Sequence, residues 1–596
     1  MKKMKYQLIN KINPQYDIIE QILTNRGIKY EEIGHYLNTT DEDINQPELL
    51  GADILKEGAA ALIKTIYVND PALIIVDCDC DGFTSAALLI NYLYSIFPTW
   101  TENNLHYYLH EDKEHGLGDC IDWILERHFP LVICPDSSSN DYAYHQQIIK
   151  RGGKVLILDH HEAERISPYA IVLNNQLSAY PNKELSGAGI TWQFCRFLDK
   201  LLNKNIANNF LDLVALGDMA DMMSLQSIET KHLILKGFQQ ENLKNPFIYG
   251  IAKKNSYSLG DKVTPMGAAF YIAPFVNAMV RSGTLEEKEL LFKSMLINEA
   301  FKIIPSNKRG HKPGDMEKLV EQALRTATNV KNRQTRAQDA AMELIEGRIE
   351  KENMMEHKVL LFLMEPGQID KNIAGLCANK IMAKYQRPVC ILTQKQEVDQ
   401  LGSSYLTYQG SARGCDKVGI NNFKDICVET GAIMYAEGHQ GAFGLGIAAE
   451  KINDFITATD EILKDMPNEP IYYVDYIYEG CNIKPTDILD IASLENLWGK
   501  DMDEALIAIH NLKVTKDMMT LMSPDKKPTL KITLPNKIAI IQFGFSQEKF
   551  DELMPNEGYI ALDIIGRCHI NEWNGYITAQ LMIEDYQIVG QGKYCF

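Results

Sequence analysis

Asp77, Asp79 and Asp81 alternate with Cys78 and Cys80 in the run DCDCDG, directly after the apolar stretch ALIIV. Carboxylates this close repel one another unless something positive sits among them, and a bound cation is the simplest counter-charge. A calcium loop is the first candidate, since D-x-D-x-D-G opens an EF-hand. Its twelfth position would need a bidentate Glu, and here it is Leu88. The preceding stretch is also short, apolar and β-branched, which suits a buried strand and not the entering helix of an EF-hand. More acids follow. Asp136 ends LVICPD, Asp159-His160-His161 closes VLILDHHE, and Asp218 and Asp221 lie in LDLVALGDMADMMSL. Carboxylates mixed with imidazole suit Mn²⁺ or Mg²⁺, whereas Zn²⁺ more often recruits Cys. So many acids exceed the needs of one ion. Two ions roughly 3.5–4 Å apart are the arrangement used for phosphoester cleavage. A single acid at an element's end usually caps a helix or faces solvent. Asp218 is read that way and left out of the ligand set. Cys78 and Cys80 alternate with the acids, so they are expected to point the other way, into the core.

These side chains need elements that bring them to one edge. The pattern gives a strand at 72–76, a helix from Thr84, a strand at 131–136, a helix from 142, strands at 155–162 and 170–175, and helices near 188–202 and 208–223. Such βα alternation implies a mostly parallel sheet with helices on both faces, and acids at strand carboxyl ends sit where such sheets build their sites. After the basic loop PSNKRGHKPGD comes a long helical stretch, 316–350. A second α/β unit follows, with strand 359–364, helix 372–385, strand 389–392 and the glycine-rich EGHQGAFGLGI. From about 470 the chain reads as strands with no helices between them (PTLKITL, KIAIIQFG, YIALDIIGRCHI, YITAQLMIEDYQIV), as in a small β-barrel. The expected division is a peripheral helical segment at 1–50, a catalytic domain at 51–240, a helical connector at 241–350, a second lobe at 351–465 and the barrel at 466–596. The basic residues 308–312 read as an ordinary solvated loop. Trp573, before the turn signal Asn574-Gly575, reads as a packing aromatic in preference to a base-stacking one.

At 596 residues several domains are expected, and 45% hydrophobic with 23% charged residues is the composition of a soluble globular protein. No apolar run approaches a membrane span, and MKKMKYQLINKINPQYD lacks the apolar centre of a signal peptide. Scattered cysteines without a C-x-x-C pair indicate free thiols and a cytoplasmic location. The net charge of −19 by itself argues against a nucleic-acid binder, an objection that has to be answered locally.

DCDCDG, PDSSS, LDHHE and ALGDMAD resemble, in order, four motifs of the DHH phosphoesterase superfamily, and the chain as a whole resembles its RecJ-like exonucleases specific for single-stranded DNA. IAPFVNAMVRSG, GSARG and EGHQGAFG resemble that group's substrate-binding stretches, and GRCHINEWNGYITAQLMIED resembles its terminal OB-fold. The resemblance implies two α/β lobes joined by a long helix, with an OB-fold barrel appended. Asp77, Asp79, Asp81, Asp136, His160 and Asp221 would hold two Mn²⁺ or Mg²⁺ ions. Asp159 would orient His160 or ligate directly. His161 would stand beside the scissile phosphate as proton donor or charge stabiliser. Asn277, Arg281, Ser411, Arg413, Gly438 and His439 would contact DNA phosphates. The implied activity is 5′→3′ hydrolysis of single-stranded DNA to 5′-mononucleotides in repair, recombination or replication. The implied state is a monomer working with a single-strand-binding protein or helicase, and with no membrane. Three positions depart from the family pattern: Ser137-Ser138 replace x-Gly, Phe275 replaces Arg, and Glu437 replaces Gly. The rival readings are a phosphodiesterase for short oligonucleotides or cyclic dinucleotides, and a non-catalytic DNA-binding scaffold.

Overall fold

The computed structural model describes residues 4–111, 115–260, 262–398, 402–467, 469–523, 526–555, 557–573 and 575–593. Two compact units emerge, and they do not follow chain order. One comprises Leu23–Lys331 with Ser493–Glu504; the other comprises Met1–Ile22, Asn332–Ala492 and Ala505–Phe596.

The first unit is built on a five-stranded sheet in the order Leu105–Leu109, Ala72–Val76, Leu131–Pro135, Lys154–Asp159, Ile171–Asn174. Every neighbouring pair is parallel. Ala72–Val76 and Leu131–Pro135 are buried at every position, as strands covered on both faces must be. Leu73, Ile75, Val132, Cys134, Val155 and Ile157 share one core cluster with Leu117, Ile124, Phe129 and Ile148. The helices Cys80–Ile96, Gly187–Leu202 and Leu211–Ala220 pack on one another. The strand Leu105–Leu109 was not expected. Its sequence, LHYYL, is only half-buried, because it forms the sheet's edge.

From Ala72–Val76 the chain passes to one side of the sheet, then crosses to Leu131–Pro135 on the other. The crevice at the carboxyl ends of these two strands is where an open α/β sheet forms its site. The first helix starts at Cys80, four residues earlier than expected, with Asp79 as its N-cap accepting the Gly82 N–H at 2.9 Å. Residues 77–79 are therefore a turn. Cys78 and Cys80 are buried as expected, but the turn and the helix start bury them, not strand alternation.

Ser493–Glu504 closes the first unit from far along the chain. The Leu225 N–H donates to the Lys500 carbonyl at 3.0 Å, and Arg26 Nε donates to the Asp503 carbonyl at 2.9 Å.

In the second unit a five-stranded mixed sheet runs Tyr435–His439, Ala442–Ala448, Ser404–Arg413, Val389–Val398, Leu360–Met364. A seven-stranded sheet of the barrel region runs Tyr476–Glu479, Leu506–Thr515, Tyr559–Trp573, Tyr576–Gly592, Ala539–Phe543, Thr529–Thr533, Met519–Met522. Contrary to the expectation of strands alone, the helices Pro485–Ser493 and Gln547–Leu553 interrupt the series. The side chain of Trp573 and the turn residue Asn574 lie outside the described residues. The N-terminal segment begins with a strand, not a helix. Lys5–Leu8 pairs in parallel with Ile471–Val474, and Met4 joins Val474, Ala508 and Ile565 in a small core. The 33-residue helix Leu319–Lys351 contains the boundary between the units. The basic loop 308–312 connects Ile303–Pro305 to Met316–Lys318, and Lys308 pairs with Glu317 at 3.4 Å. Among the described residues no helix is long and apolar enough to cross a membrane.

Candidate metal centre and active site

Three successive strands of the parallel sheet end in Asp77, Asp136 and Asp159, and two helix ends add the rest. Asp79 and Asp81 sit at the start of Cys80–Ile96, while Asp221 is the C-cap of Leu211–Ala220. Ligand atoms of three trios converge to within 4.8 Å: Asp77 with Asp79 and Asp136, Asp81 with His160 and Asp221, and Asp136 with His160 and His161. All six residues read as ligands from the sequence are thus brought together. His160 Nε2 lies 3.2 Å from Asp136 Oδ1 and 3.3 Å from Asp221 Oδ2.

The acids differ in what already holds them. The N–H groups of Gly187 and Ala188, at the start of Gly187–Leu202, donate to Asp81 Oδ2 at 2.6 Å and Oδ1 at 3.1 Å. Asp77 accepts from Gly116 N–H at 3.2 Å and meets His115 Nδ1 at 2.5 Å. Each of these oxygens keeps a lone pair for another partner. Asp136 is different. Both its oxygens, and His160 Nε2 facing them, are buried without a hydrogen-bond partner among the described residues. A buried carboxylate and imidazole left so are costly unless a cation joins them. This donor set, oxygen-rich with one imidazole nitrogen, fits Mn²⁺ or Mg²⁺.

The electrostatics agree. Burial, then the charges of Asp81, Asp79 and Asp77, hold the Asp136 carboxyl well above its ordinary range. Burial together with Asp81 and Asp79 pushes Asp221 up to about 8. Burial raises Asp77 too, against the pull of the His115 hydrogen bond. His160 is pulled down by burial, which favours the neutral ring. His161 behaves oppositely. Burial lowers it, but the hydrogen bond and charge of Asp159 carry it up to about 9.

Asp159 is a bracket. Its Oδ1 takes the His160 N–H at 2.7 Å, the His161 N–H at 3.2 Å and His161 Nδ1 at 2.8 Å, while Oδ2 takes the Ser139 N–H at 3.2 Å. Its side chain therefore orients the His161 ring, not that of His160, and is itself outside the converging trios. His160 is almost fully buried, whereas the side chain of His161 is 54% exposed, so His161 alone of the pair can meet a solvent-borne substrate.

The chain matches known proteins along most of its length. A model of the DHH family, N-terminal domain, matches residues 71–217, and a model of the RecJ OB domain matches 475–585. YorK, an SPbeta prophage-derived protein of Bacillus subtilis strain 168 named as a single-strand DNA-specific exonuclease, is 32% identical over 98% of both chains. This chain is a RecJ-like member of the DHH family. The RecJ of Bacillus subtilis, named a single-stranded-DNA-specific exonuclease, is 24% identical over 95% of the chain and 67% of its own length. The crystal structure of Thermus thermophilus RecJ in complex with Mn²⁺ superposes with a TM-score of 0.68 at 16% identity, covering 99% of this chain and 80% of that one.

The stretches that resemble RecJ-like substrate-binding motifs fall into two groups, one per unit. Asn277 and Arg281 lie one helical turn apart on Ala273–Ser282, which packs on Cys80–Ile96. The charge of Arg281 reaches the Cys80 thiol and opposes the rise that burial gives it. Phe275 lies about 200° around the helix from Asn277, so the lost Arg was not on their face. In the second unit Arg413 and His439 both pair with Ala442, and Ser411 and Glu437 both pair with Gly444. Cross-strand partners share a face, so these four side chains stand together over a floor of small residues. Gly438 has φ 119°, a conformation that suits glycine. Glu437 therefore sets a carboxylate on the very face that carries Arg413.

The remaining departure, and the expectation for Asp218, are resolved by geometry. Ser138 adopts φ 76°, so it keeps the left-handed turn for which the RecJ-like pattern uses glycine. Asp218 is not solvated. It is fully buried and accepts the Ser186 N–H at 2.9 Å, bracing the start of another helix. The sequence reading passed over His115, Gly187 and Gly217. A Cβ on Gly187 would lie 2.5 Å from Asp136 Oδ1, and one on Gly217 would overlap Asp81 Oδ1. The only sequence signal was small residues in SGAGI and ALGD, near acids that are distant in the chain.

Proposed function

We propose that this chain hydrolyses single-stranded DNA from its 5′ end, releasing 5′-mononucleotides, with two Mn²⁺ or Mg²⁺ ions held by Asp77, Asp79, Asp81, Asp136, His160 and Asp221. The observation that carries the reading is Asp136, whose buried carboxylate has no hydrogen-bond partner among the described residues and converges with Asp77, Asp79 and His160, the residues that would hold the metal with it. When bound, the ions would lower the pKa of water and neutralise charge on the phosphoryl oxygens. The chain's own residues do the rest. The Gly187 and Ala188 N–H groups fix the orientation of Asp81. His161, protonated at neutral pH through Asp159, supplies a proton or a positive charge to the departing oxygen. Asn277 and Arg281 hold the phosphate beside the cluster, while Ser411, Arg413, Gly438 and His439 hold phosphates elsewhere on the strand. The names of YorK and RecJ support single-stranded DNA as substrate. Local basic groups and the OB domain answer the objection raised by the acidic net charge.

We read the protein as a cytoplasmic monomer that receives single strands from a single-strand-binding protein or helicase. The described cysteines are free and, except Cys481, buried, which supports a reducing compartment. The test uses single-stranded DNA and RNA labelled at one end, each polarity blocked in turn, with Mn²⁺, with Mg²⁺ and with excess chelator. Mononucleotides should accumulate from unblocked 5′ ends of DNA only with metal. Full activity in chelator would overturn the metal centre, and digestion from 3′ ends would overturn the polarity.

A further inference from the structure

Resting on the reading of the acid cluster as a metal centre, we propose that His115 is a positioning residue of that centre, gripping Asp77 together with the following backbone N–H. Asp77 is 1% exposed, and its two oxygens are held from two directions. His115 Nδ1 meets Oδ2 at 2.5 Å, and the Gly116 N–H donates to Oδ1 at 3.2 Å. A ring and an amide from adjacent residues fix the plane of the carboxylate, and so decide which lone pairs face Asp79 and Asp136. The ring itself stays outside the converging trios, which take in His160 and His161 but not His115. Its role is to orient a ligand, as a partner behind a metal-binding group does.

The grip is anchored beyond His115. The Leu117 N–H donates to Asp141 Oδ2 at 2.9 Å, and Gly116 has φ 70°, with no room for a Cβ against the same carboxylate. On the other flank, the buried Lys288 ammonium donates to the carbonyls of Glu111 at 2.7 Å and His110 at 3.2 Å. His110 is tied in turn to Asp119 at 2.9 Å. His115 thus reaches Asp77 from a stretch held at both described flanks, 38 residues further along the chain. The arrangement mirrors the pair on the next strands. There an aspartate, Asp159, orients a histidine; here a histidine orients an aspartate.

The experiment is a Mn²⁺ titration of the full-length protein, followed by the EPR signal of free Mn²⁺, for wild type, His115→Ala and His115→Asn. The Asn amide can stand where Nδ1 does and donate to Asp77. His115→Ala should weaken Mn²⁺ binding by about 10–100-fold, while His115→Asn stays within about threefold of wild type. The side chain is 59% exposed, so the metal-free Tm should be unchanged in His115→Asn and fall by no more than a few degrees in His115→Ala, which takes one donor from the buried Asp77. Wild-type affinity in His115→Ala would overturn the proposal. So would an equal loss in His115→Asn, which would mark the imidazole as a ligand, or a fall in metal-free Tm accounting for the loss. No Mn²⁺ binding by the wild type would instead overturn the metal centre itself.

Discussion

Asp136 concentrates the cost of the site, because its buried oxygens lack any donor while Asp81, Asp79 and Asp77 stand nearby. Asp136→Asn removes that charge and keeps the shape. Mn²⁺ affinity should fall by more than about 100-fold and turnover should vanish, while the metal-free protein stays as stable as wild type or gains stability. Calorimetric titration with a thermal scan checks both halves. His161 should behave differently. His161→Ala should keep Mn²⁺ affinity and lose about 10²–10⁴ in kcat, the scale of general acid catalysis. With the proton needed on His161, activity is held below its pKa and lost as pH rises through about 9. Asp159→Asn removes the charge that lifts it, so the alkaline limb should move toward an ordinary imidazole value near 6.5. A limb unmoved in that variant would take His161 out of the reaction. The same groups govern stability. Asp136 and Asp221 hold protons in the folded state well above the pH at which an unfolded chain releases them, Asp221 up to about 8. His161 adds the same sign between its ordinary value and about 9; His160, lowered, opposes it below its ordinary value. Stability of the metal-free protein should therefore decline as pH rises from 5 to about 8. Mn²⁺ displaces those protons, so its gain in Tm should be larger at pH 8 than at pH 5. A metal-free Tm that climbs across this window would contradict the assignment.

At the level of elements, the start of Gly187–Leu202 can be tested directly, since its first N–H groups grip Asp81 and its first Cα lies against Asp136. Gly187→Ala drives a Cβ into Asp136. It should cost Mn²⁺ affinity and turnover with helical content retained, as circular dichroism would report; normal Mn²⁺ binding would show that the helix start can shift. This close approach was not legible in the sequence, because Gly187 and Asp136 become neighbours only through packing between a helix and a sheet. The central strands were legible. Ala72–Val76 and Leu131–Pro135 are continuous apolar runs, and only a doubly covered strand needs that pattern. Leu105–Leu109 was missed because an edge strand needs only partial burial, and LHYYL carries no strong period. The ligand set was legible because each acid ends an element whose type could be read. His115 was not, since its partner lies across the switch in strand order. Asp218 was misread as solvated because helix periodicity does not reveal that the whole of Leu211–Ala220, up to Met219, is buried.

For the whole molecule, the two units interleave in sequence, and this changes what truncation can do. A chain ending at 465 loses more than the OB domain. It also loses Ser493–Glu504, whose Lys500 carbonyl receives the Leu225 N–H just past Asp221. Such a chain should show a lower Tm in its catalytic unit and weaker Mn²⁺ binding, in addition to a higher KM and a shallower salt dependence from lost phosphate contacts. Differential scanning calorimetry with Mn²⁺ titration separates these effects. Unchanged Tm and Mn²⁺ affinity would make the C-terminal region a detachable grip.

The parallel pair formed by Lys5–Leu8 and Ile471–Val474 sets a timetable for the ribosome. Lys5–Leu8 leaves the ribosome long before Ile471–Val474, a wait of roughly 25–90 s at the usual ~5–20 residues per second of synthesis. Throughout that interval its backbone N–H and C=O groups lack their parallel partner, open to any other nascent strand. A strand of four residues, headed by a lysine, offers little for another chain to mispair with. Brevity of Lys5–Leu8 is thus a condition for pairing two strands so far apart in the chain.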